Sequence, residues 1–364
     1  MGVTRAAVLR EFGKPVEIET LHVDDPGPGE VLVRTAACGV CHSDLHFKQG
    51  SMPISPCPSI MGHEAAGIVE AVGSGVTSLV PGDHVIACNS VGCGQCPQCM
   101  LGRRHLCRDR SWLRRPKGNG PRFSKGEEKI APFTDLGGFS EYMLLPEASV
   151  LRIEKDIPLE HAALLGCAII TGVGAALNTA RIKPGSTVAV FGCGGIGSSI
   201  VQGARIAGAE KIIAIDLVAS KREQALRFGA TDAIDPTAGD AVEAIRELTG
   251  GGADYAFDAV GSVELMRQSI AALTVRGTAV LVGAPPRRER LELSLGELMS
   301  EKRITGSLMG SSRFKLDAPY YLELYRQGRL DLEGLVSHRV PLDRLEDAFT
   351  AMERGEAMRS VVIF

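Results

Sequence analysis

Short runs of apolar residues, often alternating with polar ones, recur through the first part of the chain, up to about residue 155. Alternation with a period of two is typical of strands that bury one face. Turn formers separate the runs, notably the Pro- and Gly-rich stretch at 25–29 and another at 81–83. The pattern predicts a small irregular β-barrel, with strands at 6–9, 31–36, 66–72, 84–88 and 142–145.

The pattern changes near Pro158, where an apolar stretch rich in Ala and Gly predicts a helix over 158–180 with Cys167 inside it. Buried-strand patterns then alternate with helical ones. Such alternation predicts a doubly wound parallel sheet. The predicted strands are 187–191, 211–216, 233–234, 255–258, 278–282 and 304–307, and the predicted helices include 217–228, 240–249 and 262–273.

Residues 308–364 contain two predicted helices, 317–327 and 343–354, and a closing strand over 359–364. We expect this segment to return to the first domain. The chain is therefore predicted to be an α/β protein with a β-rich domain over 1–168, a domain with a doubly wound parallel sheet over 169–307 and a returning segment over 308–364.

Composition and charge narrow the function. The chain has 364 residues, 45% of them hydrophobic, a net charge of −3 and an isoelectric point near 6.3. The chain has no broad basic region of the kind that binds nucleic acid. It also has no apolar run of about 18 residues, the length that spans a bilayer. The N-terminal residues lack the plan of a signal peptide. We expect a cytoplasmic enzyme that binds neither nucleic acid nor membranes.

Ten cysteines in such a chain favour metal ligands over disulfides. Four of them are close enough in sequence to surround one ion, and a closed shell of four thiolates is typical of structural zinc. On spacing alone, local disulfides, an iron–sulfur cluster and unligated thiols remain alternatives. The four residues are Cys93, Cys96, Cys99 and Cys107, which define a lobe over 93–107.

A second set of metal-binding side chains is dispersed. Cys41 lies in a stretch, 38–46, that also holds a hydroxyl, a carboxylate and imidazoles, whereas His63 and Cys167 lie further along the chain. If folding brings these three residues together, two sulfurs and one imidazole form a zinc site with one coordination position open for substrate.

Glycines between the strand 187–191 and the next helix form a nucleotide-binding pattern. Gly192 permits a tight turn, Gly194 lets the backbone approach a pyrophosphate and Gly197 lets the helix pack on the strand. The following strand ends in Asp216, 19 residues past the last glycine, where a carboxylate binds both ribose hydroxyls and repels a 2′-phosphate. NAD is favoured over NADP.

With these motifs in view, the chain resembles the zinc-dependent medium-chain alcohol dehydrogenases over essentially its whole length, and within them an actinobacterial group that includes nicotinoprotein-like alcohol dehydrogenases and thiol-dependent formaldehyde dehydrogenases. The resemblance rests on the stretch from Cys38 to Asp44, on 62–67, on the four-cysteine lobe, on Gly166 with Cys167, on the glycine pattern with Asp216, and on Arg359. It implies a GroES-like β-barrel catalytic domain and a Rossmann domain.

The resemblance further implies that Cys41, His63 and Cys167 hold the catalytic zinc. Asp44 is expected to accept a hydrogen bond from the other nitrogen of His63. Glu64 is expected behind the metal, as a transient ligand or as a group that tunes its charge. These expectations, together with the lobe, imply two zinc ions per chain.

The alternative for Glu64 is an ordinary buried acid paired with an arginine such as Arg359. The resemblance implies a relay in which Ser43 takes the alcohol proton and passes it through the nicotinamide ribose to His46 at the surface. This role suits an imidazole titrating near pH 6.5. For His46 the alternative is an exposed loop histidine.

Cofactor and substrate contacts are implied as well. The backbone of 194–197 should meet the pyrophosphate, and His42 and Arg359 are expected at cofactor phosphates. The named cofactor residues are His42, Gly192, Gly194, Gly195, Ile196, Gly197, Asp216, Lys221 and Arg359, and the pocket residues, besides Ser43, are Asn89, Phe133, Ala284 and Pro285.

The loop over 108–135 carries eight Arg or Lys residues and is interpreted as a solvated surface, with a subunit or cofactor-edge contact as its alternative. The resemblance suggests a homodimer or a larger homo-oligomer.

The leading function is oxidation of an alcohol to an aldehyde or ketone with NAD, and the reverse reduction. The alternatives are oxidation of an S-hydroxymethyl thiol, that is, thiol-dependent formaldehyde dehydrogenation, and a non-catalytic NADH-binding regulator. The sequence leaves the particular alcohol open.

Overall fold

The structure is a computed structural model that describes residues 2–115, 119–285 and 289–364. Lys117 of the predicted basic loop lies outside the described residues. The strands are β1 (Gly2–Leu9), β2 (Glu17–Val23), β3 (Glu30–Gly39), β4 (Ser59–Ile60), β5 (Glu64–Val72), β6 (His84–Ala87), β7 (Phe123–Lys125), β8 (Glu128–Pro132), β9 (Tyr142–Pro146), β10 (Val150–Ile153), β11 (Thr187–Phe191), β12 (Lys211–Ile215), β13 (Asp232–Ile234), β14 (Ala253–Asp258), β15 (Leu273–Leu281), β16 (Arg303–Gly306), β17 (His338–Pro341) and β18 (Ser360–Ile363).

The helices are distributed through both halves of the chain. The α-helices are α1 (His42–Lys48), α2 (Pro97–Met100), α3 (Leu159–Ala162), α4 (Ala168–Gly174), α5 (Gly195–Ile206), α6 (Ala219–Phe228), α7 (Ala241–Thr249), α8 (Val263–Ala271), α9 (Leu295–Leu298), α10 (Phe314–Arg326) and α11 (Leu345–Glu353). Short 3₁₀ segments lie at Arg104–Leu106, Ser111–Leu113, Phe133–Asp135, Glu147–Ser149, Ala163–Gly166, Met309–Ser311, Glu333–Leu335 and Leu342–Arg344, and a π-helical segment at Ala175–Ala180.

The chain divides into two compact units. The first comprises residues 1–167, 313–319 and 332–364, and the second comprises 168–312 and 320–331. The segment over 308–364, predicted to return to the first domain, is thus divided between the two units. Residues 320–331 group with the second unit, where Gln202 in α5 exchanges two hydrogen bonds with the backbone of Asp331, at 2.9 and 2.7 Å.

The first unit is built largely from antiparallel strands. Strands β1, β2, β7, β8 and β4 close a barrel, and a second sheet runs β10, β6, β5, β3, β18 and β17, with β9 also paired to β3. In β2 the buried residues Glu19, Leu21 and Val23 share one face, as alternation with a period of two requires. The last strand, β18, pairs antiparallel with β3, so the C-terminal residues complete the sheet that leads into α1.

The second unit contains a six-stranded parallel sheet in the order β13, β12, β11, β14, β15 and β16. Its inner strands are buried on both faces, as continuous apolar sequences such as that of β12 require. The fold class expected from the sequence, a GroES-like barrel with a doubly wound nucleotide-binding sheet, is confirmed.

One predicted element is wrong in detail. The helix expected over 158–180 is interrupted at Cys167, whose φ of −146° and ψ of −68° lie outside the helical region. Gly166 approaches the end of β6 so closely that a Cβ there would meet the Ala87 carbonyl oxygen at 2.7 Å. The break ends one helical segment and starts α4, so Cys167 lies at a helix junction rather than inside a helix.

Among the described residues, no single helix is long and apolar enough to cross a membrane. The bent pair Leu159–Gly166 and Ala168–Ala180 meets the length and composition criteria only when the two are taken together.

Candidate active site

Four buried side chains of the first unit converge on one point. The donor atoms of Cys41, His63, Glu64 and Cys167 all lie within 4.8 Å of one another. Each residue is at most 6% exposed. The expected dispersed set is therefore assembled by the fold, and it includes the carboxylate of Glu64.

Local structure brings each ligand to this point. Cys41 is the N-cap of α1, where the chain turns out of β3. His63 immediately precedes β5, and Glu64 is the first residue of that strand. Because β3 and β5 are antiparallel with Gly39 opposite Glu64, the two ligand-bearing ends lie side by side.

Asp44 supports the ligand residues through hydrogen bonds. Its carboxylate accepts hydrogen bonds from the Cys41 amide at 3.0 Å and the Gly62 amide at 3.2 Å. Its Oδ1 also lies 3.0 Å from Nδ1 of His63. A carboxylate only accepts here, so Nδ1 donates and Nε2 is left for a metal. Asp44 is fully buried, and all three contacts therefore act in a medium of low polarity.

The side chains of this cluster perturb one another's pKa values, and the pKa of the Cys167 thiol is raised by Cys41 and by burial. A hydrogen bond from the Cys167 thiol holds the pKa of Cys41 well below its usual value, although burial opposes this, and nearby Arg359 and His63 act in the same direction. Burial raises the pKa of Glu64 to about 7. Two soft sulfurs, an imidazole and a carboxylate are donors that Zn²⁺ accepts. The donor set and its burial fit a zinc ion.

Arg359 lies beside Glu64. Its Nη1 is 3.6 Å from Glu64 Oε1 and donates to the Val40 carbonyl oxygen at 2.9 Å. The guanidinium is 5% exposed. Gly39 permits the close approach of Glu64, since a Cβ at this position would meet its Oε2 at 2.2 Å. The structure thus brings Arg359 to Glu64, and its predicted phosphate contact stays a prediction.

Three further predicted residues lie on α1. His42 is exposed, whereas Ser43 and His46 are half-buried. The rings of His42 and His46 are 6.3 Å apart and nearly perpendicular. Neighbouring Cys38 is fully buried, and burial raises the pKa of its thiol well above the usual value. It stands outside the four-ligand set, as a buried thiol.

The second cysteine cluster is local. The sulfurs of Cys93, Cys96, Cys99 and Cys107 lie within 4.8 Å of one another. Backbone amides support them, since the Cys93 amide donates to the Cys107 sulfur and the Cys96 amide to the Cys93 sulfur, each at 3.3 Å. No cysteine among the described residues forms a disulfide. Four convergent thiols with amide donors fit a closed zinc site.

The second unit carries the nucleotide motif. Gly192 has a φ of 89°, and α5 begins directly after Gly194. A Cβ at Gly197 would meet the Gly192 carbonyl oxygen at 1.7 Å, whereas one at Gly194 would meet no described atom within 4 Å. The first and third glycines therefore pack the turn. The second leaves open space of the kind that a pyrophosphate occupies.

Asp216 follows β12, and its carboxylate is anchored by the amides of Cys193 at 2.7 Å and Val218 at 2.9 Å. Lys221 is half-buried in α6. Sequence reasoning missed Arg222, which donates to the Asp216 carbonyl oxygen and to the Asp235 carboxylate, each at 2.7 Å. Its position next to Lys221 was the only available signal.

The predicted pocket residues have different environments. Phe133 is fully buried, with its ring centroid 4.3 Å from that of Phe47 and, edge-on, 5.7 Å from that of His63. Asn89 is half-buried just after β6. In the second unit, Ala284 and Pro285 are exposed beyond β15.

Known proteins share these features. A family model described as an alcohol dehydrogenase GroES-like domain matches residues 27–155, and one described as a zinc-binding dehydrogenase matches 195–325. The alcohol dehydrogenase class-3 of Cereibacter sphaeroides is 37% identical over 377 residues, spanning 99% of this chain and 100% of that protein. The S-(hydroxymethyl)glutathione dehydrogenase of Paracoccus denitrificans has the same identity and coverage, 37%, 99% and 100%. The crystal structure of benzyl alcohol dehydrogenase from Acinetobacter calcoaceticus covers 100% of both chains at 32% identity, with a TM-score of 0.94.

A β-rich unit with two thiolate sets and a unit with a glycine-rich nucleotide turn define a zinc-binding dehydrogenase of two units. The chain belongs to the zinc-dependent medium-chain alcohol dehydrogenase family, and the resemblance noted in its sequence is confirmed. It is an oxidoreductase of the NAD-dependent zinc alcohol dehydrogenase type, with small-molecule alcohols as its class of substrate.

Proposed function

We propose that the chain oxidises a small-molecule alcohol to the aldehyde or ketone, with NAD⁺ as hydride acceptor, and catalyses the reverse reduction. The observation that carries this proposal is the buried convergence of Cys41, His63, Glu64 and Cys167. Each turnover of an alcohol transfers one hydride to NAD⁺ and releases one proton. The chain must therefore bind the metal, bind the dinucleotide and move a proton.

Cys41, His63 and Cys167 would hold the catalytic zinc, with Glu64 available as an oxygen ligand. When bound, zinc supplies a Lewis acid that lowers the pKa of an alcohol and polarises a carbonyl. Asp44 positions His63 by accepting from its Nδ1. The four-cysteine lobe would hold a structural zinc, whose closed shell leaves no position for substrate.

The proton leaves through α1. The hydroxyl of Ser43 accepts the alcohol proton as it releases its own, and a ring nitrogen of His46 takes up a proton and passes it to solvent. Support comes from the geometry of α1, in which the two residues are three positions apart and so share one face. Both are half-buried, as a path from a buried site to water requires.

NAD is preferred to NADP because the carboxylate of Asp216 repels a 2′-phosphate. The two amide bonds that anchor this carboxylate support the assignment, since they keep its charge at the end of β12. Lys221 contacts the adenosine ribose, and exposed His42 contacts a phosphate. The pyrophosphate lies against the residues of the glycine turn, namely Gly192, Gly194, Gly195, Ile196 and Gly197.

The test is the initial rate of NADH formation with a panel of primary aliphatic, allylic and aromatic alcohols. Parallel assays replace NAD⁺ by NADP⁺, and others follow incubation with a zinc chelator. We expect NAD⁺-dependent turnover that is lost on chelation. Protein with two zinc ions per chain that reduces NAD⁺ with none of the alcohols would refute the proposal.

A second candidate is oxidation of an S-hydroxymethyl thiol. It is favoured by the 37% identity to the Paracoccus denitrificans S-(hydroxymethyl)glutathione dehydrogenase. The distinguishing assay supplies formaldehyde with and without a low-molecular-weight thiol. Turnover of formaldehyde that requires the thiol supports this candidate, and an identical rate without thiol rejects it.

We further propose that the chain forms a homodimer through the edge of the second unit's sheet. Within the part of the chain that the structure describes, β16 pairs with β15 alone and ends the sheet, and sheet edges of this kind can pair with other strands. Apolar side chains beside it are exposed, with Leu295 80%, Met299 82% and Leu308 56% accessible. Light scattering of the purified enzyme tests the dimer.

We also place the enzyme in the cytoplasm, where a reducing environment keeps thiols free to bind metal. Support comes from the six cysteines in the two candidate zinc sites, none of which forms a disulfide. Fractionation of cells that produce the protein tests this location.

A further inference from the structure

We propose that Arg110 is a positioning residue that sets the shape of the alcohol pocket. It does so by joining two chain segments, one that contacts His63 and one that packs beside Cys167. The inference rests on the proposed function and extends it from the reaction to substrate discrimination. The basic loop that contains Arg110 then has a role distinct from that of a solvated surface.

The backbone of Arg110 is held between two ordered features. Cys107, three positions earlier, belongs to the four-cysteine lobe. The side chain of Asp109 accepts hydrogen bonds from the amide and the hydroxyl of Ser111, at 2.9 and 2.6 Å, across Arg110. The guanidinium of Arg110 therefore extends from a fixed base.

The guanidinium makes two contacts that point in different directions along the chain. Nη1 donates to the Asn89 carbonyl oxygen at 3.2 Å, and Nη2 donates to Asp135 Oδ2 at 3.1 Å. The side chains of Arg110 and Asp135 are 41% and 37% exposed. Ion pairs this accessible contribute little to folding stability. The contribution of this pair is therefore geometric, since one planar group links two segments.

The first of these segments leads to His63. Asp135 lies in the turn Phe133–Asp135, in which Thr134 and Asp135 have φ values of 55° and 65°. This left-handed conformation is uncommon for non-glycine residues, and surrounding contacts help to hold them in it. Phe133, in the same turn, places its ring edge-on to that of His63 at 5.7 Å. The contact to Asp135 thus restrains the turn that presents Phe133 to a metal ligand.

The second segment leads to Cys167. Asn89 follows β6, whose last residue is Ala87. The Ala87 carbonyl oxygen lies so near Gly166 that a Cβ there would meet it at 2.7 Å, and Gly166 directly precedes Cys167. Arg110 therefore contacts one segment that passes a sulfur ligand and one that passes the imidazole ligand. Its fork has two donors in fixed directions, which the single ammonium of a lysine does not reproduce.

Without Arg110, the turn Phe133–Asp135 and the segment at Asn89 lose the side chain that links them. The pocket wall that they form is then no longer held in one shape. The expected result is altered discrimination between bulky and slender alcohols. A misplacement of about 1 Å suffices for large rate effects, and a change of one methylene in pocket fit alters selectivity about 10-fold or more.

The test compares Arg110→Gln, Arg110→Lys, Asp135→Asn and the double variant Arg110→Gln/Asp135→Asn with the wild type. Benzyl alcohol and 1-butanol are the probes, and the readout is the ratio of their kcat/KM values. Arg114→Gln is the matched control, because Arg114 is exposed in the same segment and has no ion pair among the described residues. Zinc content and unfolding temperature are measured for every variant.

We expect the ratio to change roughly tenfold in Arg110→Gln and in Arg110→Lys, mainly through KM, with two zinc ions retained. Asp135→Asn removes the charge from one of the two contacts and should shift the ratio in the same direction, and the double variant should be no worse than Arg110→Gln, since both substitutions act on one link. A ratio within twofold of the Arg114→Gln value, or additive effects in the double variant, would overturn the inference. Wild-type protein that oxidises neither these two alcohols nor any other alcohol of the panel would instead refute the proposed function, and the inference with it.

Discussion

The two cysteine centres of the first unit are built in opposite ways. The lobe draws all four sulfurs from positions 93–107, and three of these cysteines are only half-buried. The other centre collects Cys41, His63, Glu64 and Cys167 from across the unit's sequence and buries all of them. One site is made by a short loop around its metal, and the other by the tertiary fold.

The difference separates two uses of a metal. Four like donors in one short loop close the coordination shell, so a bound ion acts as a cross-link of that loop. The mixed set has its geometry held by other residues, with Asp44 on His63 and Arg359 beside Glu64. A metal held by preformed surroundings is available for chemistry. Zinc can therefore stabilise the fold in the lobe and support catalysis at the centre of Cys41, His63, Glu64 and Cys167.

The largest expected effect comes from Cys41→Ser. It removes a ligand from the fold-built centre, and we expect kcat/KM for alcohol oxidation to fall on the order of 10³-fold or more, because the Lewis acid supplies several kcal/mol of transition-state stabilisation. The unfolding temperature should change little, and zinc content should fall from two ions to one. A variant with near-normal turnover would contradict the assignment of Cys41.

Cys96→Ser should act on the fold instead. Metal binding supplies much of the stability of such a loop, so we expect a loss of several kcal/mol in the free energy of unfolding and a poor yield of soluble protein. Denaturant unfolding followed by circular dichroism measures it, with zinc analysis on the folded fraction. The comparison between the centres fails if Cys96→Ser and Cys41→Ser affect stability equally.

Glu30→Gln tests how the chain after the lobe is attached to β3, in the second sheet of the first unit. The Glu30 carboxylate, 7% exposed, binds Arg115 at 2.7 Å and Arg122 at 2.8 Å. Burial alone would raise its pKa, but these arginines hold the pKa below the usual 4.5. The stabilisation is therefore fully present above about pH 4.5 and is lost as pH falls through the lower, folded-state value.

We expect Glu30→Gln to cost about 3–5 kcal/mol at neutral pH, because it leaves buried guanidinium groups short of their counter-charge. The difference from wild type should shrink as pH falls below 4.5. Denaturant titrations at several pH values measure this. Glu128→Gln is the control, since Glu128 is 46% exposed where it pairs with Arg10. Equal losses in the two variants would argue against a special role for Glu30.

Asp44→Asn should have the smallest effect and sharpen the comparison. Loss of a carboxylate that orients a ligating histidine typically costs 10- to 100-fold in metal affinity or activity. We expect a loss of about that size in zinc affinity at the fold-built centre, measured by competition with a chelator, and an unchanged affinity at the lobe. Equal weakening of both centres would indicate a general loss of structure.

Much of the fold was predictable because its signals are local. Alternating strands in the first unit and strand–helix alternation in the second follow from side-chain periodicity. The four lobe cysteines were recognisable from spacing, and Asp216 from its distance to the glycines. The break at Cys167 was not predictable, because the apolar sequence around it favours a continuous helix. It is imposed by the close approach of Gly166 to Ala87.

The sequence by itself determined the element order, the cysteine spacing of the lobe and the nucleotide turn, since each depends on residues near one another in the chain. The contacts of Asp44 with His63 and of Arg359 with Glu64 were suggested only by the family resemblance, and the tertiary structure makes them. Only the tertiary structure decided that Arg110 links Asn89 to Asp135. Such pairs depend on which distant segments the strand pairing brings together, and no local pattern encodes that choice.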